Sequence, residues 1–267
     1  MRAAALLCSG LACAVALTAC VLSPLVDAFS SSTPDAEETP DAAAAPGPAP
    51  KADTCGGALA AWALDDGTGT VARECTGRFP GRLTGAVSWT AGRDGGRALA
   101  FTGGAIAVDD AVALHVGGPP ETPAFSAMAR LSAKVPAYAR FFISRTDGVH
   151  DAWAFALYPE GPAAVSIGMR LADKASGTTD LRSDPVAVAA WIHAATVFDG
   201  QSTMTFYVDG VSKGKRTFSA GQYAPSIAPL RIGAPVSNNA PFEGTLEDVR
   251  IYARALSAEE IRAIASK

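Results

Sequence analysis

Hydrolysis of a sugar linkage needs two carboxylates that reach one bond, one to protonate the leaving oxygen and one to attack or to activate water. On a strand such a pair falls at alternate positions, yet no Glu-x-Asp-x-Glu run occurs. Glu247 and Asp248 are neighbours, so a regular strand would turn them to opposite faces. Gly210-Val211-Ser212-Lys213-Gly214 has the spacing of a nucleophile elbow, but that device requires a following helix, and here a hairpin turn runs into Lys215 to Phe218. Gly67-Thr68-Gly69-Thr70-Val71-Ala72 has the spacing of a dinucleotide loop, again without a helix after it. His115, His150 and His193 have no Ser or Cys partner suggested by the sequence. The expectation is a protein without catalysis of its own.

Arginine offers more. In Phe125 to Ser132 the alternate residues Phe125, Ala127, Ala129 and Leu131 suit a core, which leaves Met128 and Arg130 outward. In Val165 to Leu171 the inward set is Val165, Ile167, Met169 and Leu171, so Arg170 points out. Arg145 or Arg140, from a run whose phase stays open, would complete an arginine-lined concave sheet. Guanidinium groups pair with carboxylates through two parallel hydrogen bonds, so Arg130, Arg170 and Arg145 are candidate ligand-binding residues for acidic sugars. The plainer alternative is scattered solvated arginines balanced by nearby acids. Tyr138, Trp153, Tyr158 and Tyr223 are candidates for stacking on sugars, although Trp153 alternates with Phe155 and Leu157 and suits the core.

The elements that would position these residues occupy only part of the chain. Arg2 precedes an apolar or small stretch from Ala3 to Ala16, and Leu17-Thr18-Ala19-Cys20 follows. That is the layout of a secretory signal, and its last four residues resemble a bacterial lipobox. The resemblance implies removal of residues 1–19, lipidation of Cys20 and a lipid anchor in the cell envelope. The alternative is an uncleaved membrane anchor. Val21 is not the Asp that retains such proteins at the inner membrane, so the same resemblance implies the outer membrane. Residues 20–54 then form a tether rich in Pro, Ala and acid, which cannot bury enough apolar surface to fold. Its 34 residues from Val21 to Thr54 span at most about 110 Å when extended.

The tether carries a balance of -5, six acids against one Lys51, and Arg2 brings the formal net charge to -4. The remainder is balanced and has no basic run, which excludes nucleic acid as a partner. After loss of the signal and lipidation of Cys20, Cys55 and Cys75 remain. In an exported domain the simplest reading is one disulfide, contributing roughly 3 kcal/mol. Two buried thiols or a metal pair are the alternatives, with no His or further Cys nearby at zinc spacing.

From Cys55 to Lys267 the pattern is of short alternating runs separated by Gly, Asp and Asn. A dozen strands are expected, among them Ala98 to Phe101, Ala105 to Val108, Arg140 to Arg145 and Leu230 to Gly233. Asp199-Gly200 and Asp209-Gly210 are hairpin dipeptides. Ser257 and Glu260 form a capping box that opens one C-terminal helix. The fold class expected is all-β, a two-sheet antiparallel sandwich with that helix at its end.

Four fragments in order carry a resemblance to a known family: Ala60 to Thr70, Gly95-Gly96-Arg97-Ala98-Leu99-Ala100-Phe101, Trp191 to Gly210, and Phe242 to Ile261. The chain resembles the laminin G-like, concanavalin A-like jelly roll over nearly all of residues 57–266. The resemblance implies a lectin-like or adhesive module whose partner is a glycan or a cell-envelope or extracellular protein. It also implies a structural Ca2+, held by hard oxygen ligands. Asp66, Glu74 and Asp248 are the candidate metal residues, with Thr102-Gly103-Gly104 replacing the acidic turn common in the family. Solvation, or pairing with Arg250 and Arg254, is the alternative for these acids.

Overall fold

The computed structural model describes residues 55–116, 124–146, 152–173, 177–188, 190–218 and 227–267. The signal segment, Cys20 and the tether lie outside them, as do His150 and Tyr223. The strands in chain order begin with β1 (Ala60–Trp62), β2 (Val71–Ala72), β3 (Gly81–Thr84), β4 (Val87–Ala91), β5 (Arg97–Thr102) and β6 (Ala105–Val108). Next come β7 (Ala124–Ser132), β8 (Arg140–Arg145), β9 (Trp153–Pro159), β10 (Ala164–Asp173), β11 (Gly177–Arg182) and β12 (Val186–Ala187). The last are β13 (Ile192–Asp199), β14 (Thr203–Val208), β15 (Val211–Thr217), β16 (Arg231–Ile232) and β17 (Glu243–Tyr252), followed by helix α1 (Ala258–Ala265).

They form two antiparallel sheets. The first runs β15-β14-β13-β7-β17-β5-β4, with β1 also on β17; the second runs β11-β10-β9-β8-β16-β6-β3-β2, with β12 on β10. Alternation sends one residue in two to the space between the sheets. There Phe125 of the first sheet stacks on Trp153 of the second, with centroids 5.2 Å apart, and Phe142 meets Phe155 at 4.5 Å. Each fully buried aromatic or aliphatic side chain contributes about 1.5–3 kcal/mol. The indole N–H groups are not wasted: Trp62 donates to the Phe79 carbonyl and Trp153 to that of Val116.

Local chemistry explains the joins. Asp209 and Gly210 take φ of 49° and 77°, the left-handed pair a two-residue hairpin between β14 and β15 requires. At the β13 turn the Asp199 carboxylate accepts the amides of Gln201, Ser202 and Thr203. Ser257 Oγ accepts from Glu260 N while Glu260 Oε2 accepts from Ser257 N, so the capping box is formed. Cys55 and Cys75 are joined as a disulfide, their Cα atoms 5.4 Å apart.

Strands β2, β3, β11, β12 and β15 were not expected. Gly177 to Arg182 buries only Leu181 among its described side chains, and Val211 to Thr217 buries none, so neither shows apolar alternation. Strand β15 is an edge, and its Lys213, Lys215 and Arg216 oppose pairing with another chain.

Candidate functional site

On the outer face of the first sheet, α1 lays Ile261 and Ile264 over Met128, Ala195, Val197, Tyr207 and Tyr252. Arg130 points outward as its strand phase requires, but into this cover. It is 5% exposed and donates to the carbonyls of Ile264 and Ala265 at 2.9 and 3.0 Å. Those carbonyls belong to the last helical turn, where a cation is favoured. Arg130 therefore fastens the helix, and its expected place on a ligand face is corrected. Opposite it in β13 stands His193, buried, with neither ring nitrogen hydrogen-bonded among the described residues. Burial first, then the Arg130 cation, holds the His193 pKa down to about 4, so its ring is neutral at neutral pH.

The candidate metal residues are already engaged. Glu74 is buried and accepts from the backbone amides of Ala61, Thr76, Arg78 and Phe79 and from the Thr76 hydroxyl. Asp66 accepts from Arg73 N and pairs with its guanidinium at 3.2 Å. Asp248 is bound by Arg250 at 2.6 Å and lies 3.8 Å from Arg130. A carboxylate surrounded by N–H donors does not fit a hard cation, which needs those same lone pairs. Cys55 and Cys75 lie beside Glu74, but disulfide sulfurs are not thiolate ligands. Glu247 and Asp248 do not take opposite faces: β17 bulges between Glu247 and Arg250, Leu246 and Val249 both enter the core, and both acids point outward. Each meets arginine there, Glu247 through Arg93 and Asp248 through Arg250.

The outer face of the second sheet is different. Registers of successive strand pairs place Asp180, Arg170, Ala154, Ser144, Arg231, Ala107 and Arg82 in one cross-strand row. All point away from the core, because their neighbours Met169, Phe155, Ile143, Ile232, Ile106 and Val108 point into it. Three arginines thus share a face, spaced by alanine and serine. Arg145 does not join them. A bulge at Phe142 inverts the phase of β8, pairing Arg145 with Trp153, and Arg145 is 2% exposed with Nε bound to the Ala228 carbonyl. Of the expected set only Arg170 stays on the face. Arg231 and Arg82 were missed, though each is flanked as a strand residue should be, in Leu230-Arg231-Ile232 and Gly81-Arg82-Leu83.

The segment from Ala234 to Ala240 divides this face. On one side Ala240 packs with Phe141, Ala154, Ala156 and Tyr158. Gly168 lets the Tyr158 ring lie flat, since a Cβ there would come within 2.7 Å of that ring. Arg182 covers Tyr158 with 4.0 Å to the ring centroid, and Arg170 covers Phe141 at 5.0 Å. Asp180 binds Arg170 through both oxygens, at 2.7 and 2.9 Å. Burial alone would raise the Asp180 pKa, but the Arg170 hydrogen bonds and charge outweigh it and hold the carboxyl below its usual range. Tyr158 moves up, through burial and then the Asp180 charge. On the other side of the segment, Pro235, Val236 and Asn238 wall a basin of about 350 Å3 that holds Arg231.

A separate cleft of about 840 Å3 opens at the end of the sandwich, lined by Phe101, Val135, Leu157 and Phe242 with Arg140 and Glu243. Arg140 pairs with Glu243 at 2.9 Å and stacks on the exposed Tyr138 ring. Glu243 is the one carboxylate among the described lining residues, so the cleft lacks the pair that glycoside hydrolysis uses.

Comparison with known proteins extends this description. A family model described as the Concanavalin A-like lectin/glucanases superfamily matches residues 107–262. Among solved structures, the chain is similar to domain 4 of AbnA, a GH43 extracellular arabinanase from Geobacillus stearothermophilus, in complex with arabinotriose. The identity is 19%, the TM-score 0.58, and the match covers 78% of this chain and 98% of that one. It is also similar to the binding domain of Paraclostridial Mosquitocidal Protein 1, at 13% identity and TM-score 0.60, covering 79% and 52%. The binding domain of Botulinum neurotoxin DC in complex with rat synaptotagmin II is similar at 11% identity and TM-score 0.57, covering 79% and 51%. The chain therefore spans about half the length of the two toxin binding domains.

Proposed function

Since this chain belongs to the concanavalin A-like lectin/glucanase superfamily, with a laminin G-like jelly roll, we propose that it is a non-catalytic module that binds carbohydrate on the outer face of its second sheet. One observation carries the reading: the row Arg170, Ala154, Ser144, Arg231, Ala107 and Arg82, on a face crossed by no helix among the described residues. Strands lie about 4.8 Å apart, so Arg170 and Arg231 are about 14 Å apart and Arg231 and Arg82 about 10 Å. Residues 234–240 cover Ser144 and Ala154 between them, so a sugar meets the guanidinium groups instead, a guanidinium being a planar fork of donors for hydroxyl or carboxylate oxygens. That AbnA domain 4 was solved with arabinotriose supports a sugar as the ligand; the neurotoxin domain solved with synaptotagmin supports a protein as the competing one.

In the same reading Cys20 carries the lipid, residues 20–54 hold the domain off the envelope, and the outer membrane is the location. Growth of a bacterial expression strain with labelled palmitate tests the anchor, with label expected on the wild type and lost in Cys20→Ala. A glycan array probed with the full-length chain, with calcium and with chelator, tests the ligand. Saturable binding to one sugar class, unaffected by chelator, is the expected outcome. A blank array under both conditions would overturn the carbohydrate reading in favour of an envelope or extracellular protein.

A further inference from the structure

The three arginines of the row are not electrostatically alike. Arg82 is held by both oxygens of Asp109, at 2.7 and 3.1 Å, as Arg170 is by Asp180. Arg231 stands between them and has no such partner. No carboxylate lies within 4.0 Å of its guanidinium among the described residues, and its buried Nε–H meets no acceptor. Burial first, then the Arg82 charge, lowers its pKa, with Asp109 opposing. A buried donor left unsatisfied is costly, and a cation left unpaired more so.

The surroundings of Arg231 are open where those of Arg130 are closed. The basin of about 350 Å3 is walled by Thr84-Gly85, Gly103-Gly104 and the Pro235, Val236 and Asn238 segment. Gly85 and Gly103 take φ of 69° and 120°, so the two turns carry no side chain over the rim. The volume is at the small end of ligand sites, about 300–1,000 Å3, which suits one sugar ring. None of the described lining residues is acidic, and Asp109, the acid nearest in effect, is occupied by Arg82.

The geometry points to this basin as a receptor for an oxyanion, filled by the carboxylate or sulfate ester of an acidic sugar residue that Arg231 binds. The choice of a sugar as carrier rests on the carbohydrate reading of the face; the oxyanion itself does not. The forked guanidinium donates two parallel hydrogen bonds to either group through Nη1 and Nη2, while the buried Nε–H lies behind them.

Calorimetry on the full-length chain with a glucuronate-containing tetrasaccharide, its carboxyl-reduced form and a sulfated derivative of the reduced form is the test. The acidic forms are expected to bind about tenfold to a hundredfold more tightly than the reduced one. Arg231→Gln should erase that difference and Arg231→Lys keep part of it, while Arg216→Gln, on the opposite sheet, leaves it intact. Preference for the uronate alone assigns the carboxylate; preference for the sulfated form assigns the sulfate. Equal affinity for acidic and reduced forms, or a preference that survives Arg231→Gln, overturns the inference. A second measurement separates it from the carbohydrate reading: the Arg231 Nε–Hε resonance followed during titration with free glucuronate and with inorganic sulfate. A saturating shift alongside failure of every oligosaccharide supports the oxyanion site and sinks the glycan; no shift with either anion sinks the site.

Discussion

Arg130 and Arg231 both point outward from strands in the middle of their sheets, and their surroundings have little in common. Over Arg130 the chain returns as α1, whose last carbonyls take up the guanidinium and whose Ile261 and Ile264 seal the neighbouring surface. Over Arg231 there are glycine turns and a basin. The same side chain is a structural tie on one sheet and an unspent donor on the other, because the C-terminal helix crosses only the first. Outward phase in a strand therefore gives direction, and the covering element decides between structure and binding.

Four measurements sharpen that contrast. The largest effect belongs to Ile261→Asp, which puts a charge in a fully buried position beneath the helix. A loss of about 4 kcal/mol in denaturant unfolding is expected; a loss near zero would mean that the helix does not seal the first sheet. Next is pH. His193 takes up a proton at an ordinary 6.5 when unfolded but only at about 4 when folded. Between these values the unfolded state binds more protons, so stability falls as pH drops from 6.5 to 4 and this contribution is flat below that. The full drop is roughly 3 kcal/mol, and His193→Gln should remove it from a pH series of unfolding curves.

Arg130→Ala comes third, at about 2 kcal/mol, since it removes the guanidinium donors from the Ile264 and Ala265 carbonyls. The smallest effect is expected on the second sheet. Arg170→Gln with Arg182→Gln should cost under about 1 kcal/mol, because both are partly exposed cations in surface pairs. If that double variant destabilised the protein as much as Arg130→Ala, the two faces would be equally structural and the contrast would fail.

Much of the sandwich was legible in the chain. Ala105 to Val108 and Arg140 to Arg145 match their strands residue for residue, since apolar runs bounded by turn residues have few other solutions. The missed strands β11 and β15 are polar edges, held by backbone pairing with a neighbour rather than by a face of their own. Of the arginine face, Arg170 was readable because an unbroken alternation precedes it. Arg145 was not, since the extra residue at the Phe142 bulge inverts the phase without leaving a mark in the sequence. The acids at 247 and 248 were misread for the same reason.

By itself the sequence determined the class of fold, the two hairpins, the capping box and the candidate cysteine pair, because each is written in periodicity or in residues a few positions apart. Only the tertiary structure decided which arginines share a face and which of them is left unpaired. Arg82, Arg170 and Arg231 are scattered over 150 positions of chain and meet through strand order and register. The partners of Arg82 and Arg170, Asp109 and Asp180, come from neighbouring strands and turns in the same way. Order and register are set by burial of the opposite faces of those strands, a property of the whole core that no local stretch of sequence contains.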